Sequence, residues 1–128
     1  MIRVILTFLT ISLFTLSTYA QQNCEPETRE SSPSTSSDYI PFKLLQNFPN
    51  PAKDVTNIKV QVNCTGNFSL KVYDMVGNLV YSLPEEHMQP GLYSFPVETA
   101  NLPEGIYFYA VKRDSFSQTM KMVVSRRQ

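Results

Sequence analysis

The sequence is poor in the residues that build metal centres and catalytic sites. Its 128 residues include one histidine, two cysteines and no tryptophan. Two cysteines and one histidine cannot by themselves make a structural zinc site, which needs four nitrogen or sulfur ligands. A Ser-His-Asp or Cys-His arrangement would depend on His87 alone, and this residue follows two glutamates in a proline-flanked stretch. We therefore expect no enzyme activity, no metal and no cofactor.

The sequence also has no excess of charge of either sign. Eleven basic residues balance eleven acidic ones, so the formal net charge is zero. A protein that binds nucleic acid normally carries a basic patch or stripe. The only basic pair near an end, Arg126 and Arg127, is too short to provide one. We expect no nucleic-acid partner.

The first 20 residues predict a secretory signal peptide. Arg3 supplies a short positive region, and residues 4–16 are apolar except for hydroxyl residues. Small residues at Thr18 and Ala20 then favour cleavage between Ala20 and Gln21, after export by the general secretion (Sec) machinery. The apolar run is shorter than the roughly 20 residues of a membrane span. No stable membrane span is therefore expected after cleavage.

Residues 21–38 predict a disordered linker rich in serine and proline. They offer almost no apolar side chain to bury, so nothing offsets the entropy of ordering them. Cys24 lies in this linker, whereas Cys64 lies in the part that should fold. In an oxidising compartment the two could form one disulfide. The sequence leaves open whether they do.

Residues 39–128 predict an all-β domain. The whole chain has seven tyrosines, eight phenylalanines and nine prolines, a composition that favours short strands and stiff turns over helices. Apolar residues alternate clearly in several segments, for example at Ile58, Val60 and Val62. We expect an immunoglobulin-like Greek-key β-sandwich of about seven short strands. The predicted strands are residues 43–48, 55–63, 70–73, 78–83, 92–97, 106–112 and 117–125.

The connections between these strands carry more specific expectations. Asp74 and Gly77 suit the first and last positions of a type I turn, which would join the two strands of a central hairpin. Residues 64–67 are expected to form a turn, and residues 83–91 a polar loop. Pro96 indicates an edge strand or a bulge. Residues 106–112 are apolar on both faces, which favours a central position in the sheet.

Four motifs occur in order along the folded part. They are Phe48-Pro49-Asn50-Pro51, then Leu70-Lys71-Val72-Tyr73-Asp74 with Gly77, then Gly105-Ile106-Tyr107-Phe108-Tyr109, and finally Lys121-Met122-Val123-Val124. Together they resemble the C-terminal sorting domain of cargo proteins of the type IX secretion system (Por secretion system) of Bacteroidetes. The resemblance covers residues 44–125, which is almost all of the predicted domain.

The resemblance implies a function in protein transport. Domains of this kind are immunoglobulin-like sandwiches that an outer-membrane translocon recognises in the periplasm. A surface cysteine protease commonly removes them as the cargo reaches the cell surface or medium. Carried over by position, the expected recognition residues are Pro49, Asn50, Pro51, Tyr73, Asp74, Gly77, Gly105, Tyr107 and Lys121. Each also has a purely structural explanation, because prolines shape turns and glycines allow positive φ.

The nature of the cargo remains open. Residues 21–38 leave space for only a very short cargo, so the chain is an uncleaved surface module, a carrier of a short peptide or a fragment that lost its cargo.

A function from another class also remains open, namely a surface binding or adhesion module with tyrosines as its binding face. These tyrosines would be Tyr73, Tyr81, Tyr93 and Tyr107. A flagellar hook-assembly protein would contain a similar sandwich, but the signal peptide argues against that export route.

Overall fold

The computed structural model describes residues 40–127. The predicted signal peptide, the linker and Cys24 lie outside the described residues. Within them the chain forms seven strands and no helix, and therefore no helix that could span a membrane. The strands are β1 (Phe42–Leu44), β2 (Val55–Val62), β3 (Gly66–Asp74), β4 (Leu79–Met88), β5 (Gly91–Glu98), β6 (Gly105–Arg113) and β7 (Phe116–Val124).

The strands form two antiparallel sheets. One has the order β1-β2-β5 and the other the order β4-β3-β6-β7. The chain changes sheet between β2 and β3, between β4 and β5, and between β5 and β6. This is the connectivity of an immunoglobulin-type sandwich in which the fourth strand pairs with the third. The predicted fold class is confirmed.

The core lies between the sheets and follows from the alternation in the sequence. In β2 the side chains of Ile58, Val60 and Val62 are buried, and Lys59 and Gln61 between them are exposed. The opposite sheet supplies the other half of the core from β3, β6 and β7. Its buried side chains include Phe68, Leu70, Val72, Tyr109, Val111, Met122 and Val124. Burial of each large apolar side chain stabilises the fold by about 1.5–3 kcal/mol.

The prediction of a polar loop over residues 83–91 is wrong. Strand β4 continues through Pro84 to Met88, and Met88 is buried in the core. Phe68 of β3 pairs with Glu86 of β4, whereas Leu70 pairs with Leu83. Two residues of β4, Pro84 and the residue after it, therefore lie opposite a single residue of β3 and form a bulge. A proline is tolerated here because β4 is an edge strand and the bulge interrupts the ladder.

The first predicted strand is also shorter than expected. Strand β1 ends at Leu44, although the following segment stays attached to β2. The amide of Leu45 donates to the Lys59 carbonyl at 2.9 Å, and Phe48 forms an isolated bridge with Asn57. The predicted turn at residues 64–67 is shorter as well, because β3 begins at Gly66. Pro96 lies in β5, which is an edge strand as predicted.

Strand β6 is central, but only one of its faces is covered. It pairs with β3 on one side and β7 on the other, as the sequence indicated. Tyr107, Tyr109 and Val111 point into the core, whereas Ile106 and Phe108 are 36% and 38% exposed on the outer face. The predicted central position of this strand is therefore confirmed, although its outer face stays partly exposed. An outward-facing apolar surface remains on the four-stranded sheet.

Candidate functional site

The Pro49-Asn50-Pro51 turn packs against the outer edge of the last strand. Asn50 Oδ1 accepts a hydrogen bond from the Val123 amide at 3.0 Å. The Val123 carbonyl accepts from the Ala52 amide at 2.7 Å, and the Ala52 carbonyl accepts from the Ser125 amide at 2.9 Å. The edge of β7 would otherwise leave these backbone groups unpaired. The structure thus brings the proline motif and the closing strand into direct contact.

A buried polar network holds this turn in place. Asn47, which is 1% exposed, donates from Nδ2 to Thr56 Oγ1 at 3.0 Å and to the Pro49 carbonyl at 3.3 Å. Thr56 Oγ1 donates to the same Pro49 carbonyl at 2.8 Å. The Tyr109 hydroxyl accepts from the Asn47 amide and donates to the Leu45 carbonyl, both at 3.0 Å. Burial raises the pKa of Tyr109, so its hydroxyl stays protonated as a donor.

The turn between β3 and β4 forms a second group of candidate residues. The Gly77 amide donates to the Asp74 carbonyl at 3.1 Å, which closes the predicted four-residue turn. Asp74 Oδ1 accepts from the amides of Val76 and Asn78 at 3.0 and 2.8 Å, and Oδ2 accepts from Asn78 Nδ2 at 2.9 Å. These bonds, chiefly the one from the Asn78 side chain, lower the pKa of Asp74.

Gly77→Ala tests this turn directly. Gly77 has a φ of 91°, although a Cβ would meet nothing within 4 Å. The cost therefore comes from the backbone conformation, and we expect the free energy of unfolding to fall by about 1–2 kcal/mol. Gly91→Ala is the matched control, because a Cβ there would make only an ordinary 3.6 Å contact with Tyr93. Urea unfolding of both variants measures the difference in their free energies of unfolding. Equal losses of stability would contradict the conclusion that the positive φ of Gly77 requires glycine.

The loop before β6 and the C-terminal tail close the same end of the domain. Gly105 pairs with Val124, and the Tyr107 hydroxyl donates to the Pro103 carbonyl at 2.8 Å. The Arg126 amide donates to Glu104 Oε1 at 2.5 Å, and its guanidinium donates to the carbonyls of Ala100 and Leu102. Burial, followed by the negative charge of Asp74, raises the pKa of Tyr107.

An open groove of about 300 Å³ separates the β3–β4 turn from this loop. It is lined mainly by backbone and apolar side chains. The lining residues are Asp74, Met75, Val76, Pro103, Glu104, Gly105, Ile106 and Tyr107. Within residues 40–127, no group of three or more histidine, cysteine or acidic residues is arranged to hold a metal ion.

The predicted recognition residues fall into two groups at one end of the four-stranded sheet. Pro49, Asn50 and Pro51 lie on the outer edge of β7. The remaining residues lie on β7 itself and on the turns and strands beside it, where Asp74 pairs with Tyr107 and Phe108 pairs with both Tyr73 and Lys121. Cys64 is buried in the core region. Its pairing with Cys24 stays a prediction, because Cys24 lies outside the described residues.

Several residues that shape this site were not predicted from the sequence. Asn47 and Thr56 fall within predicted strands, and Arg126 belongs to a basic pair that is too short for a nucleic-acid site. The one sequence signal for Asn47 was a polar residue beside the Phe48-Pro49 step. Neither Asn47 nor Arg126 could be assigned a role before its distant partners were known.

Comparisons with known proteins agree with this architecture. Residues 46–125 match the family described as "Secretion system C-terminal sorting domain". Among solved structures the chain is similar to latent, dimeric PorU from Porphyromonas gingivalis, with a TM-score of 0.57 and 18% identity. The similarity covers 70% of this chain and 10% of PorU, so it concerns the fold of one part of that protein. No curated protein matches the chain.

Proposed function

The chain belongs to the family of secretion system C-terminal sorting domains, the sorting signals of type IX secretion, and we propose that its folded part is the ligand that the type IX translocon reads. The match to residues 46–125 carries this proposal, because it spans six of the seven strands and all the candidate recognition residues. The arrangement supports it as well, since those residues lie at one end of one sheet.

The family indicates export to the cell surface or medium. We propose the following individual steps of this export. Residues 1–20 direct the chain through the Sec machinery, and cleavage between Ala20 and Gln21 releases it into the periplasm. Residues 21–38 then act as a spacer, and residues 39–128 engage the translocon. A surface cysteine-protease sortase is the proposed second partner. The domain itself serves as a signal and has no catalytic activity of its own.

We further propose that recognition depends on the two groups of residues described above. Pro49, Asn50 and Pro51 fix the outer edge of β7, and Lys121 projects from that strand. Gly77 and Gly105 shape the two turns that border the groove, with Tyr73, Asp74 and Tyr107 beside them. In this proposal most of these residues act by positioning the surface, because their hydrogen bonds are already made within the domain.

A reporter fusion tests the proposed function. A periplasmic reporter is inserted between Gln22 and Asn23, so that the predicted cleavage site and the whole domain are retained. We expect the reporter to reach the surface or medium in a host with a working type IX system. In a strain without the translocon it should remain in the periplasm. Periplasmic reporter in both strains would disprove the proposal and leave an immunoglobulin-like binding module or a fragment of a larger secreted protein.

A further inference from the structure

We infer that the outer face of the four-stranded sheet, next to the groove, is the docking surface for a protein segment that is mainly apolar and carries a carboxylate. This inference rests on the proposed function, since the segment would belong to the type IX machinery. The surface consists of Tyr73, Leu79, Ile106, Phe108 and Val123, with Lys121 at its margin, and is called the apolar half-face below.

The strand register places these side chains on one face. Residues directly opposite each other in an antiparallel pair point to the same side of the sheet. Phe108 lies opposite Tyr73 on one side and Lys121 on the other, and Tyr73 lies opposite Leu79. Ile106 lies opposite Val123 in the next outward-facing row. The side chains therefore form a continuous band across all four strands.

The band ends where the same face becomes polar. Towards the other end of the sheet, a separate polar depression is lined by Asn67, Ser69, Lys71, Glu85, Lys112 and Asp114. The turn residues Met75 and Val76, which are 67% and 82% exposed, extend the apolar half-face to the groove. A contiguous apolar surface with a polar border is typical of a protein-binding site.

The charges around the apolar half-face indicate the chemistry of the occupant. The Asp74 carboxylate is held by Val76 and Asn78 in its own turn, and Glu104 accepts from the Arg126 amide. The exposed Lys121 side chain instead lies between uncharged neighbours on its face, namely Phe108, Thr119 and Val123. A carboxylate on the partner would complement this lysine.

The edge of the sheet is less suited to recognition than its face. Strand addition requires a row of unpaired backbone groups. On β7 the Val123 amide and carbonyl are taken by Asn50 and Ala52, and the Lys121 carbonyl accepts from Gln46 Nε2 at 3.2 Å. The segment of residues 46–52 therefore occupies the C-terminal half of the β7 edge, which borders the apolar half-face.

The reporter chain with substitutions on the apolar half-face tests the inference. We expect the Ile106→Thr/Phe108→Thr double variant and the Lys121→Glu variant each to reduce translocon-dependent export about tenfold. Threonine preserves the strand preference of these positions. Lys112→Glu is the matched control for charge, because Lys112 is exposed on the same face of the sheet as Lys121 but lies on the neighbouring strand β6, in the polar half. Leu92→Thr is the control for an exposed apolar side chain on the other sheet.

The outcomes separate failure of the proposed docking surface from failure of the proposed sorting function. Normal export of the unmodified chain with normal export of both test variants overturns the inference and leaves the sorting function intact. Failure of the unmodified chain overturns both. The double variant is uninformative if its unfolding temperature is lower than that of the unmodified chain. The Lys121→Glu variant then decides whether the inference holds, since the Lys121 side chain is exposed. Vesicle binding, or dimers seen by ultracentrifugation, that the double variant abolishes would assign the face to lipid or to a second copy instead.

Discussion

Tyr109→Phe is expected to lower the free energy of unfolding by about 2–3 kcal/mol, although it removes a single oxygen atom. The Tyr109 hydroxyl serves both the Asn47 amide and the Leu45 carbonyl at 3.0 Å. Phenylalanine would leave this donor and this acceptor buried without a partner, which costs about 1–3 kcal/mol for each group that water cannot reach. Urea unfolding of the purified chain measures the loss.

Tyr107→Phe is the matched control on the same strand. Its hydroxyl makes one hydrogen bond, to the Pro103 carbonyl at the end of the domain. We expect a loss of about 1 kcal/mol, because water can replace a bond at that position. Amide hydrogen exchange adds a local readout: Tyr109→Phe should speed exchange at Asn47, whereas Tyr107→Phe should not. Similar losses and similar exchange in the two variants would contradict the proposed network.

The pH dependence of stability provides a second check on Tyr109. Burial raises its pKa above the ordinary value of 10.0. The unfolded chain then releases this proton at lower pH than the folded chain, so the contribution to stability is present below pH 10 and is lost as the pH rises above it. The unmodified chain should therefore lose stability above pH 10 more steeply than Tyr109→Phe.

Local patterns in the sequence were sufficient for the fold class. The alternation at Ile58, Val60 and Val62 depends only on the period of a strand, and the structure buries all three. The turn at Asp74 and Gly77 was equally predictable, because its hydrogen bonds join residues at most four positions apart. Short-range hydrogen bonds of this kind can be predicted because they depend only on residues that are close in the sequence.

Strand ends depended instead on neighbours that the sequence does not reveal. Pro84 looked like a strand breaker, yet an edge position and a bulge opposite β3 accommodate it. Strand β6 is apolar on both faces, but the second layer covers only the face that carries Tyr109. Whether Phe108 is covered or exposed is decided by the arrangement of whole sheets rather than by local hydrophobicity.

The candidate site shows the same division. The motif residues Asn50 and Lys121 could be named from the family resemblance. Their arrangement could not, since Asn50 contacts Val123 across 73 positions of sequence. The Arg126 contacts with the loop before β6 likewise join segments more than 20 residues apart. The resemblance therefore supplied the proposed recognition residues, whereas only the structure showed that they lie at one end of one sheet.

Deletion of residues 121–128 is expected to abolish both the cooperative unfolding transition and translocon-dependent export of the reporter. The deletion removes Met122 and Val124, which are 0% and 1% exposed, together with the Val123 groups that hold Asn50 and Ala52. Loss of each large core side chain costs about 2–5 kcal/mol, and a small domain has about 5–15 kcal/mol in total. Circular dichroism during heating and the reporter assay measure the two losses.

Shorter deletions separate the contribution of the tail from that of the strand. Removing residues 126–128 leaves β7 whole but takes away the Arg126 bonds to Glu104 and Leu102, so we expect a loss of about 1–2 kcal/mol with the fold retained. Removing residues 127–128 should leave stability and export unchanged. Export that survives the deletion of 121–128 would show that the closing strand is not part of the signal. Equal damage from all three deletions would instead show that the last two residues are read directly.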